Sequence, residues 1–217
     1  MTFEEIKNNK EINTYIESAD RYLEQIGYTE HSFSHVNRCV AVSEYILREL
    51  GYDDHTVELA KIAAYMHDIG NVVNRDEHAK SGAVMAFRIL DKLGMPCEDI
   101  ATVITAIGNH DESSAYPVNV VSSALILADK TDVRRTRVRK NLQEFGIHHR
   151  VNYAAESSRV IVDKEKKIIT LKLTIDTEIC SIMEYFEIFL SRMMLCKRAS
   201  EFFGYSFRLL INDQTLL

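Results

Sequence analysis

A histidine and an aspartate stand side by side at the inner end of an alanine-rich apolar run, Ala63-Ala64-Tyr65-Met66-His67-Asp68-Ile69-Gly70-Asn71. A carboxylate on a segment built for burial costs several kcal/mol unless it is paired, hydrogen-bonded or bound to a metal. The same question recurs along the chain once a helical period is applied. His35 shares a stripe with Cys39, Val42 and Ile46, and His67 shares one with Ala60 and Ala64. His78 heads a stripe with Gly82, Met85 and Ile89; His110 follows Val103 and Ala106 or Ile107; Asp129 lies on the apolar side marked by Leu125 and Ile126. A lone histidine on an apolar stripe is more often bonded to a carbonyl than to a metal. Five segments that all place His or Asp there ask for one shared explanation. Imidazole and carboxylate donors without cysteine suit Mn, Fe, Co, Ni or Zn, or Mg with more carboxylate and water. His35, His67, Asp68 and Asp129 would supply four ligands and two negative charges, with positions left for water and substrate.

The elements that must hold these residues read as helix after helix. Thr2 and Glu5 form a capping-box pattern, and helix runs from there, with a break, to Gly27. Further helices are expected from Ser32 to Gly51, from Asp53 or Asp54 to Gly70, from Asp76 to Leu93, from Cys97 to His110, and after Pro117 into the 120s. Asp132 could begin a seventh, reaching the 140s. The pattern then changes. Two β-prone stretches flank a turn at Asp163-Lys164-Glu165-Lys166, and Ile169, Leu171, Leu173 and Ile175 alternate with polar residues. Helical spacing returns at Ile179, Met183, Phe186, Leu190 and Met193, and alternation returns at Tyr205, Phe207, Leu209 and Ile211. The fold expected is mainly α, a helical domain over residues 1–147 with a ββαβ subdomain over 148–217. Its strands are expected to form a three-stranded antiparallel sheet covered by the helix of about 177–203.

Composition narrows the class. Of 217 residues, 46% are hydrophobic and 27% charged, ordinary for a globular protein, and the formal net charge of −6 gives no basic footprint for nucleic acid. The four cysteines form no CxxC pair, which fits free thiols in a reducing compartment. No apolar stretch approaches the ~18 residues of a membrane span, and the N-terminus lacks a signal-peptide pattern. A cytoplasmic protein is expected.

His35, then His67-Asp68, then Asp129, on successive helices, resembles the H…HD…D pattern of the HD-domain metal-dependent phosphohydrolases, and "HDIGN" and "LILADKTDVRR" are similar to that family. The resemblance covers about residues 28–140. It implies a PDEase-like helical bundle and hydrolysis of a phosphoester or phosphoanhydride in a small phosphorylated substrate, a nucleotide or dinucleotide. "EHAKSGAVMA" carries His78 in a setting similar to the HAxxGAxxA stretch of bacterial HD-type dinucleoside tetraphosphate hydrolases, and "AIGNHDESS" carries His110. In members with a binuclear centre, the two histidines at such places bind a second metal. The resemblance thus implies one or two divalent ions, the second on His78 and His110, with Asp68 bridging. Where many relatives have a lysine after HDxG this chain has Asn71. The GYP motif is absent and Asp111 replaces an adjacent second histidine, which disfavours cyclic-di-GMP.

For the chemistry, Asp68 is expected to be ligand and bridge with a share in catalysis, and Lys130, beside the last ligand, to help electrostatically as a catalytic and substrate-binding residue. Of the run Arg134, Arg135, Arg137 and Arg139, Arg134 or Arg135 is the candidate to touch substrate, since helical spacing keeps all four from facing one phosphate. Glu44 and Glu112 are assigned to solvent, and His148 and His149 to loop or strand. The rival reading is a non-catalytic, metal-containing regulatory or ligand-binding module, favoured by Asn71. The tail either closes the active site or makes a homodimer; the sequence leaves both open.

Overall fold

The computed structural model describes residues 1–112, 115–139 and 146–216. Helices α1 (Phe3–Lys7), α2 (Lys10–Gln25), α3 (Phe33–Leu50), α4 (Asp54–Met66), α5 (His78–Lys92), α6 (Cys97–Gly108) and α7 (Val120–Lys130) build the body. The starts follow the local chemistry: Thr2 and Glu5 close a capping box, Asp53 caps α4, and Asn119 and Ser122 close a second box on α7. α3 ends at Gly51 with φ 83°, the left-handed turn glycine takes without strain. α4 packs against α1, α3, α6 and α7. Its alanines Ala60, Ala63 and Ala64 are fully buried, so the neighbouring helices can approach closely.

The chain then enters α8 (Ile147–Ala154), β1 (Ala155–Asp163), β2 (Ile168–Ile175), α9 (Ile182–Phe202), β3 (Ser206–Ile211) and β4 (Gln214–Thr215). The sheet order is β1-β2-β3-β4. β1 and β2 form the expected hairpin, but β2 and β3 pair in parallel, Ile168 opposite Ser206 and Leu173 opposite Ile211. The expected all-antiparallel sheet is therefore corrected. Period-2 alternation is the same in both pairings, whereas α9 runs back along the sheet and delivers β3 to the end where β2 began. A short β4 adds a fourth strand antiparallel to β3.

Three other expectations need correction. Among the described residues after Asp132 there is a short 3₁₀ turn, Arg135–Arg137, instead of a helix, because the Asp132 carboxylate is held by His35 and Arg38 instead of capping; residues 140–145 lie outside the described residues. His148 and His149 lie on helix α8. On α9 the buried stripe is Tyr185, Phe189, Met193 and Cys196, while Met183 and Leu190 are exposed. Apolar residues lie on more than one side of that helix, so its period alone did not select the inner face. The inner stripe joins Leu171, Leu173 and Leu209 of the sheet to Ile126 and Leu127 of α7 and Ile46 of α3 in one apolar cluster. α9 thus lies between the sheet and the helix that carries Asp129. Among the described residues no helix is long and apolar enough to cross a membrane.

Candidate metal centre

α4 stops at Met66, and His67-Asp68 follow at its C-terminal end, leading into a 3₁₀ turn, Ile69–Val72. That turn presses against the first turn of α5 through two glycines. A Cβ on Gly70 would lie 2.0 Å from the His78 carbonyl oxygen and 2.4 Å from the Gly82 nitrogen. A Cβ on Gly82 would meet the His67 carbonyl oxygen at 3.2 Å. This backbone contact carries His78 to Asp68, α6 ends beside them with His110, and α3 and α7 contribute His35 and Asp129.

The six side chains converge, and they do so in two groups. Asp68 Oδ2 faces His67 Nε2 at 3.2 Å and His35 Nε2 at 3.6 Å, and Asp129 Oδ1 lies 3.3 Å from His35 Nε2 and 3.9 Å from His67 Nε2. The other oxygen, Asp68 Oδ1, faces His78 Nε2 at 3.6 Å and His110 Nε2 at 3.9 Å. Within each group the two imidazoles approach closely, 3.3 Å between the Nε2 atoms of His35 and His67 and 3.2 Å between those of His78 and His110.

The far side of each ring shows what these nitrogens can do. Nδ1 of His67, His78 and His110 donates to the carbonyl oxygens of Ala64, Arg75 and Ile107, at 2.8, 2.9 and 2.6 Å, and Nδ1 of His35 donates to Asp132 Oδ2 at 2.8 Å. A carbonyl only accepts, so the proton of each neutral ring sits on Nδ1 and Nε2 presents a lone pair. Two lone pairs 3.2–3.3 Å apart repel each other, an arrangement that a shared cation would relieve. His35, His67, His78, His110, Asp68 and Asp129 therefore have the donor chemistry of a metal site, with the outer-side bonds that orient metal-ligating histidines. Cys39 Sγ also lies 3.7 Å from His35 Nε2, close enough to join the first group geometrically.

Electrostatics favours charged carboxylates and neutral outer histidines. Burial pushes the Asp129 carboxyl up, but Lys130, His35 and His67 reverse this and hold it well below the usual range. Asp68 behaves likewise, burial being outweighed by His67, His31 and His78. Burial drives His110 well down and His78 down, keeping both available as neutral donors.

The expected auxiliary residues are placed differently. Lys130 is buried, its Nζ 2.7 Å from Asp129 Oδ2 and 3.0 Å from Glu112 Oε2, so its charge is committed to two carboxylates. Arg134 is bound to Asp132, and Arg135 donates to the Tyr153 carbonyl oxygen with its guanidinium over the Tyr153 ring. Neither arginine is brought to the cluster. Arg137 Nη1 donates to the Asp132 carbonyl oxygen and Arg139 pairs with Asp20.

Four residues escaped the sequence reading. Asp132, fully enclosed, receives His35, Arg38 and Arg134. Glu112, assigned to solvent, instead bridges Lys130 and Arg192. Glu44 does pair at the surface, with Arg48. His31 stacks edge-on against His35, ring centroids 5.4 Å apart, and Arg75 reaches within 3.5 Å of His78 Nε2. Only Glu112 and Asp132 left a local signal, each lying two or three residues beyond a candidate ligand. Beside the cluster opens a cavity of about 510 Å³, lined by Tyr28, His31, Arg75 and Arg137 on one side and Ile147, His148, Phe189 and Arg192 on the other.

Residues 32–136 match the HD domain family, and this helical segment is an HD domain. Over 202 residues the chain is 22% identical to the uncharacterized protein MJ1020 of Methanocaldococcus jannaschii, covering 82% of this chain and 77% of that one. Among solved structures it is similar to a predicted HD superfamily hydrolase from an uncultured Thermotogales bacterium, with 26% identity, 58% and 68% coverage of the two chains, and a TM-score of 0.46. Bacillus subtilis YpgQ in complex with ADP aligns at 15% identity, 86% and 87% coverage, and a TM-score of 0.45.

Proposed function

We propose that this protein is a metal-dependent phosphohydrolase with a binuclear centre. One divalent ion would be held by His35, His67, Asp68 and Asp129, the second by His78, His110 and Asp68. The observation that carries this reading is the division of Asp68: its two oxygens face two separate pairs of imidazole nitrogens. A carboxylate used only to cap or orient a neighbour has no need of two such partners. When bound, the ions supply Lewis acidity, acidifying water and drawing charge from phosphoryl oxygens.

The protein's own residues do the rest. The carbonyl and carboxylate acceptors behind the four rings fix each Nε2 toward the centre. Asn71 donates to Asp68 Oδ1 at 2.9 Å and to the Asp68 carbonyl oxygen at 3.0 Å, fixing the bridge. The residue that departs from the family pattern therefore serves the metal site, which weighs against reading it as a sign of a disused one. Lys130, on this reading, holds Asp129 in place instead of meeting substrate directly. The chain Asp129–Lys130–Glu112–Arg192 ties the site to α9, so the C-terminal unit forms one wall of the cavity. A volume of about 510 Å³ exceeds what a phosphate alone needs and falls in the range of small-molecule sites. Aromatic and cationic lining suits a phosphorylated small molecule, a nucleotide or dinucleotide.

The test is a screen of metal-loaded protein against phosphomonoesters, cyclic nucleotides and dinucleoside polyphosphates, with Asp68→Ala alongside. Turnover of one class by the wild type and loss of both turnover and bound metal in Asp68→Ala are expected. Near-normal turnover and metal content in Asp68→Ala would refute the reading.

A further inference from the structure

Three arginines line the cavity beside the centre, and two of them have their charge answered. Arg192 pairs with Glu112, and Arg137 lies 3.8 Å from Asp132 while donating to the Glu30 carbonyl oxygen. Among the described residues no carboxylate lies within ion-pair distance of Arg75. Its guanidinium donates to a neutral acceptor, Asn71 Oδ1 at 3.2 Å, and rests over the Tyr28 ring at 5.3 Å from the centroid. Its Nη1 is 3.5 Å from His78 Nε2, where the second ion would bind.

The backbone around Arg75 is fixed as tightly as its side chain. Its carbonyl oxygen accepts from His78 Nδ1 and so aims that ring, and Glu77, which opens α5, is held at φ 60°, a left-handed conformation uncommon for glutamate. The same residue thus orients a ligand through its carbonyl and places at the cavity edge a positive charge that no carboxylate among the described residues pairs. An anionic ligand would supply such a partner.

We propose that Arg75 binds the phosphoryl group of the substrate at the second-metal side of the centre, with Asn71 as its positioning residue. The inference rests on the phosphohydrolase reading above and deepens it. It also accounts for Asn71: the positive charge that a lysine would carry at that position is supplied four residues later, and Asn71 links it to Asp68. A guanidinium fork matches two phosphoryl oxygens at once, whereas an ammonium offers a point charge.

The experiment uses the full chain, metal-loaded, with inorganic phosphate as probe. Metal content, the dissociation constant for phosphate by calorimetry, and hydrolysis of p-nitrophenyl phosphate are measured for wild type, Arg75→Gln and Arg75→Lys. Expected is unchanged metal content, at least tenfold weaker phosphate binding in Arg75→Gln, and about threefold weaker binding in Arg75→Lys. Should Arg75→Gln not fold, Arg75→Lys carries the test alone, and unaltered phosphate affinity there overturns the proposal. Wild-type hydrolysis with equal phosphate affinity in all three proteins overturns only this inference and leaves Arg75 a clamp on Tyr28. A wild type that neither binds phosphate nor hydrolyses any phosphoester overturns the underlying reading as well.

Discussion

The contact between Gly70 and α5 offers a perturbation whose size can be worked out. In Gly70→Ala the new Cβ would sit 2.0 Å from the His78 carbonyl oxygen and 2.4 Å from the Gly82 nitrogen, both backbone atoms of one helix. To restore an ordinary contact near 3.4 Å, the first turn of α5 must retreat by about 1.4 Å. No side-chain rotation relieves it. His78 Nε2 now lies 3.6 Å from Asp68 Oδ1, and metal–nitrogen and metal–oxygen bonds of ~2.0–2.2 Å leave no slack for such a shift. Overpacking of this kind costs about 3 kcal/mol or more at its upper end. For a chain of this length that corresponds to a fall in Tm of roughly 6–12 °C. Differential scanning fluorimetry and metal analysis read both consequences: a lower Tm, and about one ion where the wild type holds two. Gly108→Ala is the matched control, because its Cβ would meet only the Ala83 Cβ at 3.6 Å. It should leave Tm within about 1 °C or raise it slightly, since alanine favours helix. If Gly70→Ala melts within ~2 °C of wild type with full metal content, the account of how α5 is seated is wrong.

Asp132→Asn keeps an acceptor for His35 Nδ1 but removes the charge that Arg38 and Arg134 share. Its affinity for metal should fall about 10–100-fold in a chelator competition, with helicity retained; unchanged affinity would make Asp132 merely structural. Arg135→Ala should leave KM unaltered, because its Nε donates to the Tyr153 carbonyl oxygen and its guanidinium lies over the Tyr153 ring, and a raised KM would restore it as a substrate contact. Glu112 gives a pH dependence. Burial raises its carboxyl, but Lys130 and Arg192 more than offset this and leave it below the ordinary range. The stabilisation is therefore complete above the unfolded-state pKa near ~4.3 and is lost as pH falls through the lower folded value. Metal-free protein should lose Tm below about pH 5, and Glu112→Gln should start lower at pH 7 and change less on acidification.

The candidate ligands were legible because burial and chemistry disagree at each of them. His35, His67, His78, His110 and Asp129 stand on apolar stripes, where a helical period shows them facing inward without any knowledge of tertiary structure, and Asp68 adjoins one of them. Helix ends were legible for the same local reason, as at Thr2, Asp53 and Gly51. What surrounds the ligands was not legible, because it is made of contacts between distant segments. Asp132 reaches His35 across 97 positions and Arg139 reaches Asp20 across 119. Lys130 was visible as a cation next to a candidate ligand, yet only the fold shows its charge already taken by Asp129 and by Glu112 of the segment between α6 and α7. Arg75 had no pattern at all; its place depends on the Gly70–Gly82 contact. The parallel pairing of β2 and β3 was hidden because alternation marks the buried face and says nothing of strand direction.

The most direct test of the central claim is the number of ions bound per chain at saturation, measured by mass spectrometry of metals in wild type, His78→Ala and His110→Ala. Two groups of donors sharing Asp68 predict two ions in the wild type and one in each variant, with the ion on His35, His67, Asp68 and Asp129 persisting. A single ion in the saturated wild type, or two ions still bound when His78 is replaced, would contradict the binuclear account.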